Sequence, residues 1–366
     1  MSQAYAHELQ VAELAVQRAT LLTKAVFHDK SKGTLSKDDH SPVTVADFGA
    51  QALIIQALRK NFPHDEIVGE EEATALRAND ALRARIWTLL KDVRLEDAPS
   101  EAVLGGPLQN EMQMLDAIDA GNSAGGRRGR IWALDPVDGT KGFLRGGQYA
   151  VCLALIVQGD VKVGVLGCPN LPVDNDVPLS ADAGADQTDE GHGVLFAAVQ
   201  GFNATSRPLG RGALGPSQLI SMKPVSDLRH ATLCESVEAG HSAHDEQSAI
   251  AQRLGITRPS VRMDSQAKYA SIARGAGDIY LRLPVRKDYE EKIWDHAAGD
   301  LIVREAGGSV TDANGHRLDF GQGRTLASNQ GVVAAPHAIH REVLNAVEAI
   351  LAQKGGGTPV VPNMAR

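Results

Sequence analysis

The middle of the chain is expected to fold as a buried β-hairpin. A strand-like run from Tyr149 to Gln158 is followed by a turn at Gly159-Asp160 and a second run from Val161 to Gly167. Two such runs around a short Gly-containing turn are typical of antiparallel strands. The apolar part of the first run is far too short to cross a bilayer, which takes about 20 residues in a helix. The hairpin therefore belongs to the sheet of a globular domain.

Segments with helical periodicity lie on both sides of this hairpin. Before it, helices are predicted over residues 9–26, from Pro42 to 58 and from the Asn79-Asp80 cap to 93, with a short helix inside the Gly-rich residues 97–129. After it, residues 172–192 and 203–218 are predicted to be loops. Strands at 231–234, 278–283 and near Gly308 and Gly331 then alternate with helices at 244–254, 269–274, 294–305 and 336–351. This order predicts an α+β domain over residues 1–225, an α/β domain over 226–352 and a disordered tail over 353–366.

The composition argues against several classes of protein. A net charge of −8 on 366 residues disfavours a general nucleic-acid binder, which carries a basic face. Cys152, Cys168 and Cys234 are odd in number and lack Cys-x-x-Cys spacing, so reduced, buried thiols fit better than a disulfide framework or a zinc site. Residues 1–10 have no signal-peptide pattern. We therefore expect a cytoplasmic protein that binds neither nucleic acid nor membrane.

Two aspartates stand at the end of a predicted strand in the segment ALDPVDGT, residues 133–140. Pro136 is expected to stop the strand after Asp135, and the chain then turns through Asp138 and Gly139. Carboxylates three residues apart at a strand end point to one place. Gly139 and Thr140 would open a helix whose backbone N–H groups suit a phosphate. A turn with helix-capping aspartates explains the same pattern about as well.

Two further acidic clusters are IVGEEE at 67–72 and WDHAAG at 294–299, which contains Asp295. Taken alone, Glu72 is explained as a solvated helix start and Asp295 as a helix N-cap. If the clusters meet, two unit charges about 4 Å apart repel by about 4 kcal/mol at an effective dielectric near 20. Divalent cations remove this repulsion, and oxygen-only ligands select hard ions such as Mg²⁺. Paired ions suit phosphoryl transfer, so the clusters favour a magnesium-dependent phosphatase of small metabolites.

The acidic blocks occur in the order found in one family. GEE at 69–71, DPVDGT at 135–140 and WDHAAG at 294–299, with PVTVADFGAQ at 42–51, resemble the inositol monophosphatase superfamily. Residues 125–156, GHSAHDEQ at 240–247 and DSQAKY at 264–269 resemble its 3′(2′),5′-bisphosphate nucleotidase branch of the fungal and plant type, as do YLRLP at 280–284 and EKIWDHAAGD at 291–300. The resemblance implies an α/β fold, a layered αβαβα sandwich of the inositol monophosphatase/fructose-1,6-bisphosphatase type.

The resemblance also implies which residues act on the phosphate. Two or three Mg²⁺ ions would be held by the carbonyl of Val137 and by four carboxylates, those of Glu71, Asp135, Asp138 and Asp295. Asp47 and Thr140 would form the catalytic pair that activates the attacking water, with Thr140 passing a proton toward Asp47. Without the resemblance, Asp47 reads as a first-turn helix aspartate favoured by the helix dipole.

The substrate contacts implied by the resemblance are Thr140, His241, Ser265, Lys268 and Arg282. Lys268 and Arg282 would supply the cations that a second phosphate needs. Arg282 lies between Leu281 and Leu283, so it faces away from the apolar side of its strand. Taken alone, both cations read as solvated charges and His241 as a surface residue. Lys141 is a further, weaker candidate for contact with phosphate.

The implied reaction is hydrolysis of the 3′-phosphate of adenosine 3′,5′-bisphosphate to AMP, and of 3′-phosphoadenylyl sulfate, by in-line attack of water. Sensitivity to Li⁺ and Na⁺ and roles in sulfur assimilation and salt tolerance are implied in the same way. We expect a monomer whose partner is a small nucleotide. Two alternatives remain open: a phosphatase of inositol phosphates with the same fold, and a catalytically silent nucleotide sensor.

Overall fold

A computed structural model of the chain describes residues 4–28, 41–177, 179, 190–237, 243–283, 286 and 288–354, of which 41–44 and 354 are described by their backbone alone. The elements stack as helices, sheet, helices, sheet and helices. Helices α1 (Ala6–His28) and α2 (Ser41–Asn61) cover one face of the first sheet. Two later helices lie between the sheets, and another pair covers the outer face of the second sheet. The predicted αβαβα sandwich is confirmed.

The first sheet has seven strands in chain order. The strands are β1 (Glu66–Gly69), β2 (Arg130–Asp138), β3 (Ala150–Val157), β4 (Asp160–Pro172), β5 (His192–Val199), β6 (Ala204–Pro208) and β7 (Gln218–Ile220). β1 runs parallel to β2, and every later neighbour is antiparallel, including the predicted hairpin β3–β4. The predicted loop over 203–218 is wrong at β6. The polar residues of β6 are extended because they pair with Val194–Ala198 of β5.

The second sheet has five strands in the order β11-β12-β10-β8-β9. The strands are β8 (Leu233–Glu235), β9 (Val261–Arg262), β10 (Ile279–Arg282), β11 (Gly308–Thr311) and β12 (Val332–Pro336). The predicted domain boundary near residue 225 falls between the two sheets, after β7 and before β8. That residues 1–225 and 226–352 are separate domains stays a prediction.

The remaining helices connect and cover these strands. They are α3 (Thr74–Arg77), α4 (Asp80–Leu90), α5 (Ala98–Val103), α6 (Glu111–Asp119), α7 (Thr140–Arg145), α8 (His244–Arg253), α9 (Ala267–Ala273), α10 (Ala297–Glu305) and α11 (His337–Lys354), with short 3₁₀ turns at Leu228–His230 and Ile293–Asp295. Asn79 caps α4 as predicted, accepting the Leu82 N–H at 3.0 Å. The predicted tail begins too early, because residues 353 and 354 extend α11; residues 355–366 lie outside the described residues.

Strand alternation divides the core into apolar clusters between the layers. Trp132 and Leu134 of β2 face α1 and α2, whereas their neighbours Ile131 and Ala133 face the α9–α10 layer. Leu281 of β10 packs with the outer helices in a third cluster. Helices α9 and α10 are the two that lie between the sheets, and both sheets pack against them. The end of β2 and the starts of α9 and α10 therefore lie close together.

All three cysteines are buried and unpaired, as predicted. Among the described residues, no helix combines the length and the apolar character needed to cross a bilayer.

Candidate active site

One open cleft of about 250 Å³ gathers most of the predicted site residues. It lies at the end of β2 and the start of α7, facing the loop before α9, β10 and the 3₁₀ turn before α10. Its lining residues are mostly charged or polar: Glu70, Asp135, Val137, Asp138, Gly139, Thr140, Lys141, Ser236, Asp264, Ser265, Lys268, Arg282, Tyr289 and Asp295. We call this set of residues the cleft.

The end of β2 is shaped by an interruption of its pairing with β3. Asp135 pairs with Cys152 and Asp138 with Ala150, while Pro136 and Val137 fall in the irregular stretch between them. Proline has no N–H to donate to a ladder, which explains the break. The two aspartates on either side both line the cleft. The prediction that Pro136 stops the strand is wrong, because β2 continues to Asp138 and Pro136 only interrupts its pairing with β3.

The turn into α7 requires glycine at position 139. Gly139 caps the helix with a φ of 86°, in the left-handed region. A Cβ at this position would lie 2.9 Å from Cβ of Ser265 across the cleft. The hydroxyl of Thr140 donates to the carbonyl of Val137 at 3.4 Å. Val137 and Thr140 are thus held in one turn at the cleft wall.

Glu70 and Glu71 follow the end of β1 and differ in their surroundings. Glu70 lines the cleft, where burial and the charge of the Glu70 carboxylate raise the pKa of Asp135. Glu71 is not among the described residues that line the cleft. The Gln51 side chain on α2 holds its backbone, donating to the carbonyl at 2.7 Å and accepting the N–H at 3.0 Å. The geometry therefore favours Glu70 over the predicted Glu71 as the carboxylate of this group.

Gln266 connects Asp138 to the segment that carries Asp295. Its backbone N–H, just before α9, donates to Oδ2 of Asp138 at 2.6 Å. Its buried side chain donates to the carbonyl of Trp294 at 2.7 Å and accepts the Gly299 N–H at 2.9 Å. Asp295 lies between these two anchor points, at the end of the 3₁₀ turn. One glutamine thus sets the position of Asp138 relative to Asp295.

Desolvation raises the proton affinity of all four cleft carboxylates, and neighbouring carboxylates raise it further at Glu70, Asp135 and Asp295. Burial, together with the neighbouring carboxylates, raises the pKa of Asp135 and Asp295 well above the aspartate range. Desolvation of its carboxylate, together with the charges of Glu71 and Asp138, raises the pKa of Glu70 to about 7. Burial also raises the pKa of Asp138, although nearby Lys268 opposes this. Carboxylates arranged in this way are poised to exchange protons for a cation.

Lys268 and Arg282 supply the positive charge of the cleft. Burial lowers the pKa of Lys268 to about 8, and its ammonium donates to the carbonyls of Met263 and Ser265 at 3.1 and 2.9 Å. Arg282 faces the cleft while Leu281 and Leu283 pack on the opposite side of β10, as the alternation predicts. Its Nη2 lies 3.9 Å from Oδ2 of Asp295. Ser265, with a φ of 67°, completes this wall.

Among the described residues, the acidic or histidine groups whose potential ligand atoms all lie within 4.8 Å of one another are Glu291, Asp295 and His296, whereas the four carboxylates of the cleft are spaced more widely. Both oxygens of Glu291 are already engaged, Oε1 by Arg282 at 2.7 Å and Oε2 by His296 at 3.2 Å. Although burial alone would raise it, Arg282 and His296 bring the pKa of Glu291 down to about 2. We therefore interpret Glu291 as the anchor of Arg282 rather than as a metal ligand.

Asp47 is buried and is not among the described residues that line the cleft. It is 3% exposed, and its Oδ1 has no hydrogen-bond partner. Burial and the charges of Glu71 and Glu70 raise its pKa well above the usual range. Thr140, its predicted partner, lines the cleft, and α2 packs against α7; no hydrogen bond joins these two described side chains. His241 lies outside the described residues.

Sequence reasoning missed several residues of the cleft. Glu70 could have been chosen by continuing the alternation of β1, because Val68 faces the α9–α10 layer and Ile67 faces α2. Ser236, Asp264 and Tyr289 also line the cleft. Ser236 and Tyr289 belong to no motif that single-sequence reading could single out, whereas Asp264 opens the DSQAKY block.

Comparison with known proteins supports the family resemblance. The inositol monophosphatase family model matches residues 5–352. A protein of Emericella nidulans named 3′(2′),5′-bisphosphate nucleotidase is 67% identical over 348 residues, covering 95% of this chain and 99% of that protein. Proteins of the same name from Schizosaccharomyces pombe and Oryza sativa are 48% and 43% identical, covering 94% and 98% of this chain and 95% and 100% of their own lengths.

Solved structures support the same fold. An inositol monophosphatase from Zymomonas mobilis superposes with a TM-score of 0.60 at 19% identity, covering 95% of this chain and 100% of its own. Mycobacterium tuberculosis SuhB superposes with a TM-score of 0.56 at 20% identity, covering 95% and 98%. The chain belongs to the inositol monophosphatase family and is a phosphatase of the branch formed by its nucleotidase relatives.

Proposed function

We propose that this phosphatase hydrolyses the 3′-phosphate of adenosine 3′,5′-bisphosphate to AMP, acts in the same way on 3′-phosphoadenylyl sulfate, and depends on Mg²⁺. The observation that carries the proposal is the division of the cleft into two charged parts. Glu70, Asp135, Asp138 and Asp295 form an acidic group, and Lys268 and Arg282 lie beside it. A substrate with one phosphate at each part matches this arrangement, and the names of the curated relatives agree with it.

The donor set of the acidic group fits magnesium. It consists of carboxylate oxygens and the carbonyl of Val137, without a sulfur or imidazole ligand among the described lining residues. Oxygen ligands suit Mg²⁺, and the raised pKa values indicate carboxylates that repel one another. We propose Glu70, Asp135, Asp138, Asp295 and the Val137 carbonyl as ligands. The proposal thus replaces the predicted Glu71 with Glu70 and leaves the number of ions open.

Bound magnesium would neutralise these carboxylates, polarise the phosphoryl oxygens and lower the pKa of water. The side chains of the protein would then handle the proton of the attacking water. Asp47, buried and with an oxygen free of hydrogen bonds, takes the proton of the attacking water through the hydroxyl of Thr140. The water oxygen bonds to phosphorus while the bond from phosphorus to O3′ breaks. The 3′-oxygen leaves in line and is protonated from solvent, which yields AMP and inorganic phosphate.

The second phosphate is proposed to lie against Lys268, Arg282 and Ser265. Charge-assisted hydrogen bonds from a buried cation hold a phosphate more firmly than those of a solvated one. Arg282 is fixed by Glu291 at 2.7 Å, which orients its guanidinium before substrate arrives. A contact from His241 stays a prediction. Inhibition by Li⁺ and Na⁺, roles in sulfur assimilation and salt tolerance, a cytoplasmic location and a monomeric state belong to the proposal in the same way.

A substrate panel tests the proposal. Phosphate release is measured with adenosine 3′,5′-bisphosphate, 3′-phosphoadenylyl sulfate and inositol 1-phosphate, with and without Mg²⁺ and Li⁺. We expect Mg²⁺-dependent release from both nucleotides, inhibited by Li⁺, and a much lower kcat/KM on the inositol phosphate. A higher kcat/KM on inositol 1-phosphate would make the chain an inositol phosphatase. Binding of nucleotide without any turnover would make it a sensor.

A further inference from the structure

Tyr289 is an exposed aromatic residue at the edge of the cleft. Its side chain is one of the large hydrophobic groups left exposed in the described part of the chain, at 40%. Among the described residues that line the cleft it is the aromatic one, and most of the others are charged or polar, such as Asp138, Lys141 and Asp264. Its ring is absent from the apolar clusters of the described core. The ring therefore stabilises no part of the core and is available to a ligand.

A long hydrogen bond from Arg282 connects this ring to the charged part of the cleft. Nη2 of Arg282 donates to the Tyr289 hydroxyl at 3.4 Å, and Arg282 is in turn held by Glu291 at 2.7 Å. The same Nη2 lies 3.9 Å from Oδ2 of Asp295. A single guanidinium thus separates the tyrosine from the acidic group. A nucleoside whose phosphates occupy the acidic group and Arg282 would have its base within reach of this ring.

We propose that the Tyr289 ring packs against the purine of the substrate and gives the cleft its preference for a nucleotide over a phosphate ester without a base. This inference rests on the proposed function. A flat purine needs an apolar face, and the charged lining of the cleft offers little else of that kind. Stacking is tolerant of the exact base because each base has a π-face. Because Arg282 contacts the proposed phosphate and also donates to the Tyr289 hydroxyl, it positions the phosphate and the base relative to each other.

The test compares two substrates that differ in the base. Adenosine 3′,5′-bisphosphate is one, and 1′-deoxyribose 3′,5′-bisphosphate, which lacks only the base, is the other. In Tyr289→Ala we expect KM for the nucleotide to rise about 5- to 100-fold, the range expected for loss of one base stack, with kcat within about threefold. KM for the base-free substrate should stay at the wild-type value. Tyr289→Phe keeps the ring and should keep the wild-type preference.

Phe202→Ala is the matched control, because Phe202 is exposed to a similar degree, at 45%, and is not among the lining residues. It should alter neither KM. If Tyr289→Ala raises KM equally for both substrates, or changes KM for neither, the stacking role is overturned and the proposed function stays intact. A wild-type protein that releases phosphate from neither compound would refute the proposed function, and the stacking role with it.

Discussion

At the scale of single residues, consecutive side chains of this protein have different environments because strands alternate their faces. Glu70 lies with Asp135 in the cleft, whereas Glu71 is held at its backbone by Gln51 and lies near Asp47. Neutralising the two glutamates should therefore have different consequences. Glu70 is the proposed cation ligand. Burial is the main cause of the raised pKa of Asp47, and Glu71 contributes more to it than Glu70 does.

Glu70→Gln should abolish the stabilisation that Mg²⁺ gives to the fold. A cation that binds only the folded state raises its melting temperature, and the variant loses a proposed ligand. We expect kcat to fall about 100-fold or more, the loss typical of one preorganised electrostatic group. Scanning fluorimetry with and without Mg²⁺ provides the measurement. Glu71→Gln is the control, and it should keep the Mg²⁺-induced shift. The reverse pattern would restore Glu71 as the ligand.

Glu13→Gln should change how the stability of the protein depends on pH. Glu13 on α1 is 3% exposed and pairs with Arg207 at 3.0 Å; burial raises its pKa from 4.5 to about 7, although Arg207 opposes the shift. Between these pH values the unfolded chain releases a proton that the folded chain retains, so stability falls as pH rises through 7. Relative to wild type, the free energy of unfolding of Glu13→Gln should increase by about 1–3 kcal/mol between pH 5 and pH 8.

Urea unfolding at the two pH values measures this difference. Glu96→Gln serves as the control, because Glu96 forms an exposed pair with Arg211. Its unfolding free energy relative to wild type should be the same at both pH values. If Glu13→Gln behaves like Glu96→Gln, the burial of Glu13 does not shift its proton affinity.

At the scale of elements, the position of Asp295 depends on how closely α10 approaches the first sheet. A Cβ added at Gly164 of β4 would lie 2.8 Å from the carbonyl oxygen of Ala298 and 3.1 Å from its Cα. These are backbone atoms, which cannot rotate away as a side-chain end can. Glycine at 164 therefore allows α10, and with it the turn that carries Asp295, to pack closely against β4.

Gly164→Ala should push α10 away from β4. We expect a loss of about 1–3 kcal/mol in unfolding free energy, as for other overpacked cores, and a smaller Mg²⁺-induced shift of the melting temperature because Asp295 moves. Gly215→Ala is a matched control, since a Cβ there would meet nothing within 4 Å. Equal stability and equal Mg²⁺ response in the two variants would contradict the close-packing argument.

The elements that local patterns determine are those that the sequence predicts well. The hairpin β3–β4, the Asn79 cap and the outward face of Arg282 follow from turn chemistry, capping and alternation, which involve only neighbouring residues. β6 could not be predicted in this way, because its polar residues become a strand only by pairing with β5. Tyr289 was missed for a similar reason. A single aromatic residue gives no periodic signal, and only the folded structure shows that it lies beside Arg282 in the cleft.

At the scale of the whole molecule, Arg324 connects the two sides of the site. Its Nη2 donates to the carbonyl of Gly69 at 2.6 Å and its Nη1 to that of Ser123 at 2.9 Å. Its guanidinium also lies 4.8 Å from the centre of the Trp294 ring. Gly69 precedes Glu70 and Trp294 precedes Asp295. One side chain therefore links carboxylates that are distant in the sequence.

Arg324→Ala should loosen this link while the two sheets remain folded. We expect Mg²⁺ affinity and kcat to fall about 10- to 100-fold, the range seen when groups that support metal ligands are removed. Isothermal titration with Mg²⁺ and a turnover assay measure the two quantities. Arg211→Ala removes an exposed arginine paired with Glu96 and should change neither. Wild-type Mg²⁺ affinity in Arg324→Ala would show that each side holds its carboxylates independently.

The acidic group draws on residue 70 near the start of the chain and on Asp295 near its end. During synthesis, a polypeptide that has not yet reached Asp295 possesses three of these four side chains and neither the α10 helix nor the Trp294 ring on which Arg324 rests. Affinity for Mg²⁺ should consequently appear only after Asp295 and the residues around it have been synthesised, and not increase gradually as each carboxylate is added. Fragments that end before Asp295 would accordingly lack the complete acidic group and should show no phosphatase activity.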